Sequence, residues 1–373
     1  MDLNKFEQGI KETGFDLEYQ ASDVLKNHGW SVINNKYYID DVQGSVREVD
    51  LIAYKIRIVE DVYVYTVLIV SCKKSNENIW GLLSKDKNLK DPNINWHPIV
   101  IWSNDKIVTF MLKSSDWEKD YIYQSKSAQI YSSLLEPRYH LFAFQEMSKK
   151  SGKPQNDKNI FSSISSLMKA QGYEIESLNK RKRQKCFYNF NLISLVDSEL
   201  IRLFFNEFGV KAEEIKEDKY IGSYIINQKE VSARIHFVRM TVFNDIVSQY
   251  DSLHEHNVKY FKRIYDKYFD KVLEDDKKVE LFSELFIKDI LYEINRLLRR
   301  NSKSRKSAED MYLLWNSKNN LLNIFINDTN DGLEEEISLL NNSPEVNKKV
   351  EDSLLKYFRC KKPFLFVKDV IPF

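Results

Sequence analysis

The chain has 373 residues, with 56 Lys and Arg against 55 Asp and Glu, for a formal charge of +1. That balance excludes an all-over cationic coat for nucleic acid and leaves only a local basic groove open. With 43% hydrophobic and 13% aromatic residues the chain can bury a substantial core, which excludes a disordered protein, and its length points to two or three domains.

Cys72, Cys186 and Cys360 are too few and too widely spaced for a disulfide framework or a zinc knuckle, as expected of a reducing compartment. The most apolar run, residues 62–72, is too short and too β-branched to cross a bilayer as a helix. The opening MDLNKFEQGIKE is charged throughout and does not read as a signal peptide. A cytoplasmic protein without membrane contact is expected.

In chain order, residues 2–28 read as helix, with Phe6, Ile10, Leu17, Ala21 and Val24 along one stripe. Gly14 can divide that helix and Gly29 closes it as a C-cap residue. Glu18 falls at the edge of the apolar face. Residues 30–39 read as a strand. Two runs rich in Val, Ile and Tyr, residues 49–59 and 62–72, then flank the polar pair Glu60-Asp61 and predict a β-hairpin. Asp50 stands near the start of the first run, and Lys73-Lys74-Ser75 end the second. Antiparallel pairing puts this acid and this lysine side by side at the rim of an apolar sheet, where each is costly to desolvate without a partner. Metal-assisted phosphodiester cleavage gives such a pair a use: the carboxylate holds a hard cation and the lysine steadies a phosphate or the attacking water.

Beyond the hairpin, residues 76–89 read as a helix with Ile79, Leu82 and Leu83 inward, and residues 96–102 as a short buried strand. Strand signals continue at 106–112 and 138–144. Residues 148–159 (SKKSGKPQNDKN) read as a linker, 160–171 as helix, and 186–196, 200–205, 220–227 and 231–240 as β-rich segments. From residue 254 the pattern turns helical, over 258–273 and 278–300, and 308–373 mixes helix and strand. The expected division is 1–147, 148–253 and 254–373: an α/β domain, an α/β extension and a mainly helical C-terminal region.

His254-Glu255-His256 is not a zinc-protease pair, because histidines two apart do not share a helix face; it reads as a solvated helix start. With 10 glycines and no Gly-rich phosphate loop, P-loop chemistry is not expected. Two basic clusters could touch phosphates: residues 180–185, containing Arg181, Lys182 and Arg183, and Arg299, Arg300, Lys303, Arg305 and Lys306.

Glu18 in GFDLEYQASDVL, Asp50 in REVDLIA and Lys73 in VLIVSCKKS resemble the motif of the PD-(D/E)xK nucleases, in particular the Mrr-like, restriction-endonuclease-like bacterial proteins. That family pairs an Asp at the start of one strand with an acid-x-Lys triplet in the next, behind a helix carrying a Glu. The order helix, three strands, helix, strand is its common core. One position departs: Ser71 stands where the family has its second acid. The resemblance implies a restriction-endonuclease-like mixed-sheet core and Mg²⁺- or Mn²⁺-dependent hydrolysis of nucleic acid, DNA ahead of RNA, in bacterial defence alongside a partner protein. It implies Asp50, Glu18 and the carbonyl of Cys72 as metal ligands and Lys73 as the residue orienting the nucleophile. Ser71 would supply at most a neutral oxygen, and Lys74, Arg181, Lys182 and Arg183 phosphate contacts. The alternative is a nuclease-fold module that has lost the chemistry and binds nucleic acid or a partner as sensor or scaffold.

Overall fold

The structure, a computed structural model, describes residues 3–40, 44–113, 116–226, 229–301, 308, 311–326 and 334–368. The chain divides into two compact units, Met1–Lys262 and Arg263–Phe373. No helix among the described residues is long and apolar enough to cross a membrane.

The first unit opens with α1 (Asn4–Lys11) and α2 (Gly14–Asn27), divided near Gly14 as expected, and Gly29 closes α2 at φ 77°. There follow β1 (Ser31–Ile39), β2 (Val46–Val59), β3 (Val62–Lys74), β4 (Asn78–Lys85) and β5 (Val100–Ser103), then α3 (Lys106–Leu112) and α4 (Trp117–Ser127). Next come β6 (His140–Ser148), α5 (Lys158–Arg181), β7 (Cys186–Asp197), β8 (Leu200–Asn206), β9 (Gly209–Ile215), β10 (Glu217–Ile226) and β11 (Lys229–Arg239). The last helix of this unit, α6 (Phe243–Phe269), runs on past its boundary.

One mixed sheet of seven strands has the order β1-β2-β3-β7-β11-β10, with β5 also paired to β7; a second sheet runs β6-β4-β8-β9. The β2–β3 hairpin turns on Glu60 and Asp61, both at positive φ (54° and 62°), as a two-residue type I′ turn requires. β3 pairs with β7 in parallel from Tyr63↔Cys186 to Lys74↔Asp197. The helix and strand that follow the hairpin beside β3 are therefore α5 and β7; β4 to β6 intervene in the chain, with β5 on the opposite edge of β7 from β3. The stretch 148–159, expected as a linker, joins β6 to α5 inside this unit. One core fills the α5 face: Ile160, Ile164, Leu167 and Met168 against Ile52, Val67, Ile69 and Leu192.

Three expected elements differ. Residues 76–89 contain strand β4, not a helix: Trp80, Leu82 and Ser84 are buried at a period of two, with β6 on one side and β8 on the other. A Cβ at Gly81 would lie 2.9 Å from the Gln145 carbonyl, so only glycine allows this close pairing. Residues 106–112 form helix α3 in spite of their β-branched composition, because Asp105 caps it by accepting the Val108 N–H at 3.0 Å. The strand expected over 96–102 is confined to Val100–Ser103.

The second unit contains α7 (Asp276–Asn301), β12 (Met311–Asn316), β13 (Leu321–Ile326), α8 (Glu334–Asn342), α9 (Pro344–Phe358) and β14 (Phe364–Lys368). It is mainly helical, with a three-stranded sheet ordered β12-β13-β14. Asp289 on α7 ties it to α9, taking Lys349 at 3.0 Å and the Ser353 hydroxyl at 2.9 Å. Of the second basic cluster, Lys303, Arg305 and Lys306 lie outside the described residues.

Candidate active site

The β2–β3 ladder runs from Val59↔Val62 to Leu51↔Val70 and ends there. Beyond it β2 stays paired with β1, and β3 with β7, leaving a notch between the two central strands. The Asp50 carboxylate fills this notch, accepting the backbone N–H of Cys72 at 2.6 Å. Because the N–H and C=O of one residue face the same edge of a strand, the Cys72 carbonyl is directed to the notch as well.

The notch has a local cause in β2. Val49 and Ile52 both join the core on the α5 side, although regular alternation would put residues three apart on opposite faces. The alternation slips once between them, at Asp50. Opposite this slip in β1, between the pairs Asn34↔Leu51 and Lys36↔Val49, Asn35 has a φ of 52°. Asparagine is among the few residues that enter this left-handed region at modest cost.

Glu18, on α2, completes the group. Burial raises its pKa, and Asp50 and then Glu48 push it further up, while Lys73 and a hydrogen bond from the Asn35 side chain pull it down. Burial likewise raises the pKa of Asp50, against Lys73, the Cys72 N–H and Ser71, with Glu48 adding to the rise. The Cys72 thiol is driven up by burial, then by Asp50 and Glu18, so it stays protonated. Ser71 is buried and close enough to Asp50 to lower its pKa, yet its Oγ makes no hydrogen bond of ordinary geometry. It lines a cavity of ≈10 Å³ with Glu48, Asp50 and Ser166, near the lower limit for one water.

Glu18, Asp50, Ser71, Cys72 and Lys73 thus lie together. Three carboxylates (Glu18, Glu48 and Asp50) meet one ammonium, Lys73, and the surplus of negative charge suits a hard cation. Among the described residues, no group of three or more His, Cys, Asp or Glu side chains is arranged to hold a metal ion. Glu48 and Asn35 are the residues the motif did not reveal. The Asn34-Asn35 pair inside a strand rich in Val, Ile and Tyr was their signal, since Asn disfavours regular strand.

The expected phosphate contacts are placed differently. Lys74 is committed to Asp197 at 3.0 Å and to the Lys11 carbonyl at 2.7 Å. Arg181 is paired with Glu174 at 2.7 Å, and Lys182 donates to the Tyr65 hydroxyl at 3.3 Å, while Arg183 is exposed. These three flank the start of β7, which pairs with Tyr63, whereas Lys73 pairs with Val196 at the other end. Ten residues of strand separate the two ends, roughly 33 Å. The cluster is not part of the notch.

His254 and His256 are buried within α6 instead of solvated at a helix start. His254 Nδ1 lies 3.0 Å from the Thr66 hydroxyl, and burial pushes both histidines down to about 4. They are neutral packing residues on the sheet face away from α5.

No protein-family model matches this chain, nor does any curated protein or solved structure.

Proposed function

We propose that the first unit is a metal-dependent nuclease of the PD-(D/E)xK kind. The observation that carries this reading is the notch, where Glu18, Asp50 and Lys73, from a helix and two adjacent strands, meet around a carboxylate fixed by the Cys72 N–H. The order α2-β1-β2-β3-α5-β7, with β4 to β6 inserted, is that of the family's core and supports the same reading.

Asp50 and the Cys72 carbonyl would hold a Mg²⁺ or Mn²⁺ ion, with Glu18 as the second carboxylate. When bound, the ion would neutralise charge developing on the phosphoryl oxygens. The residues fit such an ion in two respects: their donors are hard oxygens, and the unpartnered Ser71 hydroxyl faces the cavity shared with Asp50. Lys73 would orient the nucleophile. Glu48 contributes the negative charge that Ser71, standing in place of an acid, does not.

Single- and double-stranded DNA and RNA incubated with Mn²⁺ provide the test. Wild type should cleave slowly, Asp50→Ala should abolish cleavage, and Lys73→Ala should slow it by about 10²–10⁴-fold. Ser71→Glu should raise the rate. If wild type and Ser71→Glu both leave every substrate intact, the enzyme reading fails for the isolated chain. Ser71 itself favours the second reading, a nuclease-fold module that binds nucleic acid or a partner without cutting.

A further inference from the structure

We infer that the wedge between the C-terminal half of α5 and the large sheet is a second ligand site, shaped for a nucleoside monophosphate. Nothing at Asp50 is needed for it: on β3 it is lined by Tyr65 and Val67, toward the hairpin turn, and on β1 and β2 it reaches Lys36 and Ile52. The cavity measures ≈180 Å³. That is below the roughly 300–1,000 Å³ of sites for drug-sized ligands, which limits the enclosed part to about one planar ring system.

Its walls divide by chemistry. Ile52, Tyr54, Tyr65, Val67, Tyr188 and Phe190 form an aromatic and aliphatic floor. Tyr65 and Tyr188 lie stacked, 4.2 Å apart at 8°, so their hydroxyl edges stand side by side. Burial and the neighbouring Tyr65 push the Tyr188 hydroxyl far up, which keeps it a protonated donor. At the rim Ile33 and Ile56 remain 37% and 43% exposed, apolar surface that an inserted ring would cover.

The cations converge at the same place. Lys36, Arg181 and Lys182 line the cavity with a single carboxylate, Glu174. Nearly buried, Glu174 holds Lys36 at 2.6 Å and Arg181 at 2.7 Å, one on each oxygen. Both cations are therefore fixed in position before any ligand arrives, which reduces the entropy lost on binding. Lys182 has no carboxylate partner among the described residues; its ammonium lies 5.0 Å from the Tyr65 ring centre and 5.9 Å from that of Tyr188. A patch with three cations and one anion attracts phosphate, and the floor takes a base. Inorganic phosphate would leave the floor unused, and a fatty acid would need a longer apolar slot.

Isothermal titration at low salt with AMP, GMP, CMP and UMP tests this, with the four nucleosides and inorganic phosphate as controls. At least one nucleotide should bind with a sub-millimolar Kd, about tenfold or more tighter than its nucleoside or phosphate alone, the worth of one charge-assisted hydrogen bond. Lys182→Ala and Arg181→Ala should each weaken it about tenfold. Ile56→Glu, an exposed change that leaves the core intact, should block the mouth, and Asp50→Ala should leave binding unchanged. Four outcomes would overturn the site: no nucleotide bound at millimolar concentration, phosphate bound as tightly as the nucleotide, affinity unaltered in the Arg181 and Lys182 variants, or binding lost in Asp50→Ala.

Discussion

Asp218 and Asp50 both stand on strands of the seven-stranded sheet, and both are largely withdrawn from water. Asp218 accepts two N–H groups of Arg202 on Oδ2, at 3.1 and 2.7 Å, and the Lys219 N–H on Oδ1 at 2.8 Å. Glu146, fully buried in β6, is likewise met by the Asn159 N–H at 3.1 Å and by the side-chain amides of Asn159 at 3.2 Å and Asn78 at 3.1 Å. Asp50 has one short N–H bond, with Lys73 and the Ser71 hydroxyl nearby, and two further acids crowd it. The first two carboxylates have their charge and lone pairs met by protein, so they serve the fold. Those at the notch are left short of positive charge, which costs stability and supports a role in binding or chemistry.

Breaking the satisfied side of this contrast should have the largest effect. Arg202→Ala leaves Asp218 buried without its guanidinium and should cost about 3–5 kcal/mol in urea unfolding. A loss near zero would mean that Asp218 reaches water and is no counterpart to Asp50. Next in size is Asn35→Val. It forces a β-branched residue into the left-handed region and should cost about 1–2 kcal/mol, whereas Asn35→Gly should be far milder. Equal losses would show that the slip at Asp50 does not depend on that conformation.

Asp50→Asn is the smallest change and should have the opposite sign. The folded-state pKa of Asp50 lies above its ordinary value, because burial and Glu48 outweigh Lys73, the Cys72 N–H and Ser71. Between the two values the folded state holds more protons than the unfolded chain, so stability falls as pH climbs through that window. The penalty is complete above the raised pKa and absent below the ordinary one. The variant should therefore exceed wild type in stability at neutral pH, with the difference closing toward acid. Unfolding curves across pH decide this, and a variant less stable at neutral pH would contradict it.

Local chemistry made part of this legible. Val, Ile and Tyr around Glu60-Asp61 announced the hairpin, and the positions of Asp50 and Lys73 on it followed directly. Glu18 was readable as a helix acid, but only packing brings it to Asp50. The identity of the next helix and strand was not legible: β7 reaches β3 across the whole β4 to β6 insertion, and no local pattern records so distant a pairing. In β4, NIWGLLSK suits either period, and double-sided burial selected the strand. In α3, one capping aspartate outweighed a β-branched composition. The basic run 180–185 was legible as a cluster, but not that Glu174 fixes Arg181, that Lys182 turns to the Tyr65 hydroxyl at the wedge beside α5, or that Lys185 pairs with Asp61.

The unmet charge at the notch is tested most directly by thermal unfolding against Mn²⁺ concentration, in wild type and Asp50→Asn side by side. A cation that binds only the folded state raises stability as its concentration passes the Kd. Wild type should show a saturable rise in Tm that is lost in Asp50→Asn and retained in Lys182→Ala. No rise in wild type at millimolar Mn²⁺, or an equal rise in both proteins, would contradict the assignment of Asp50 and Glu18 as a cation site.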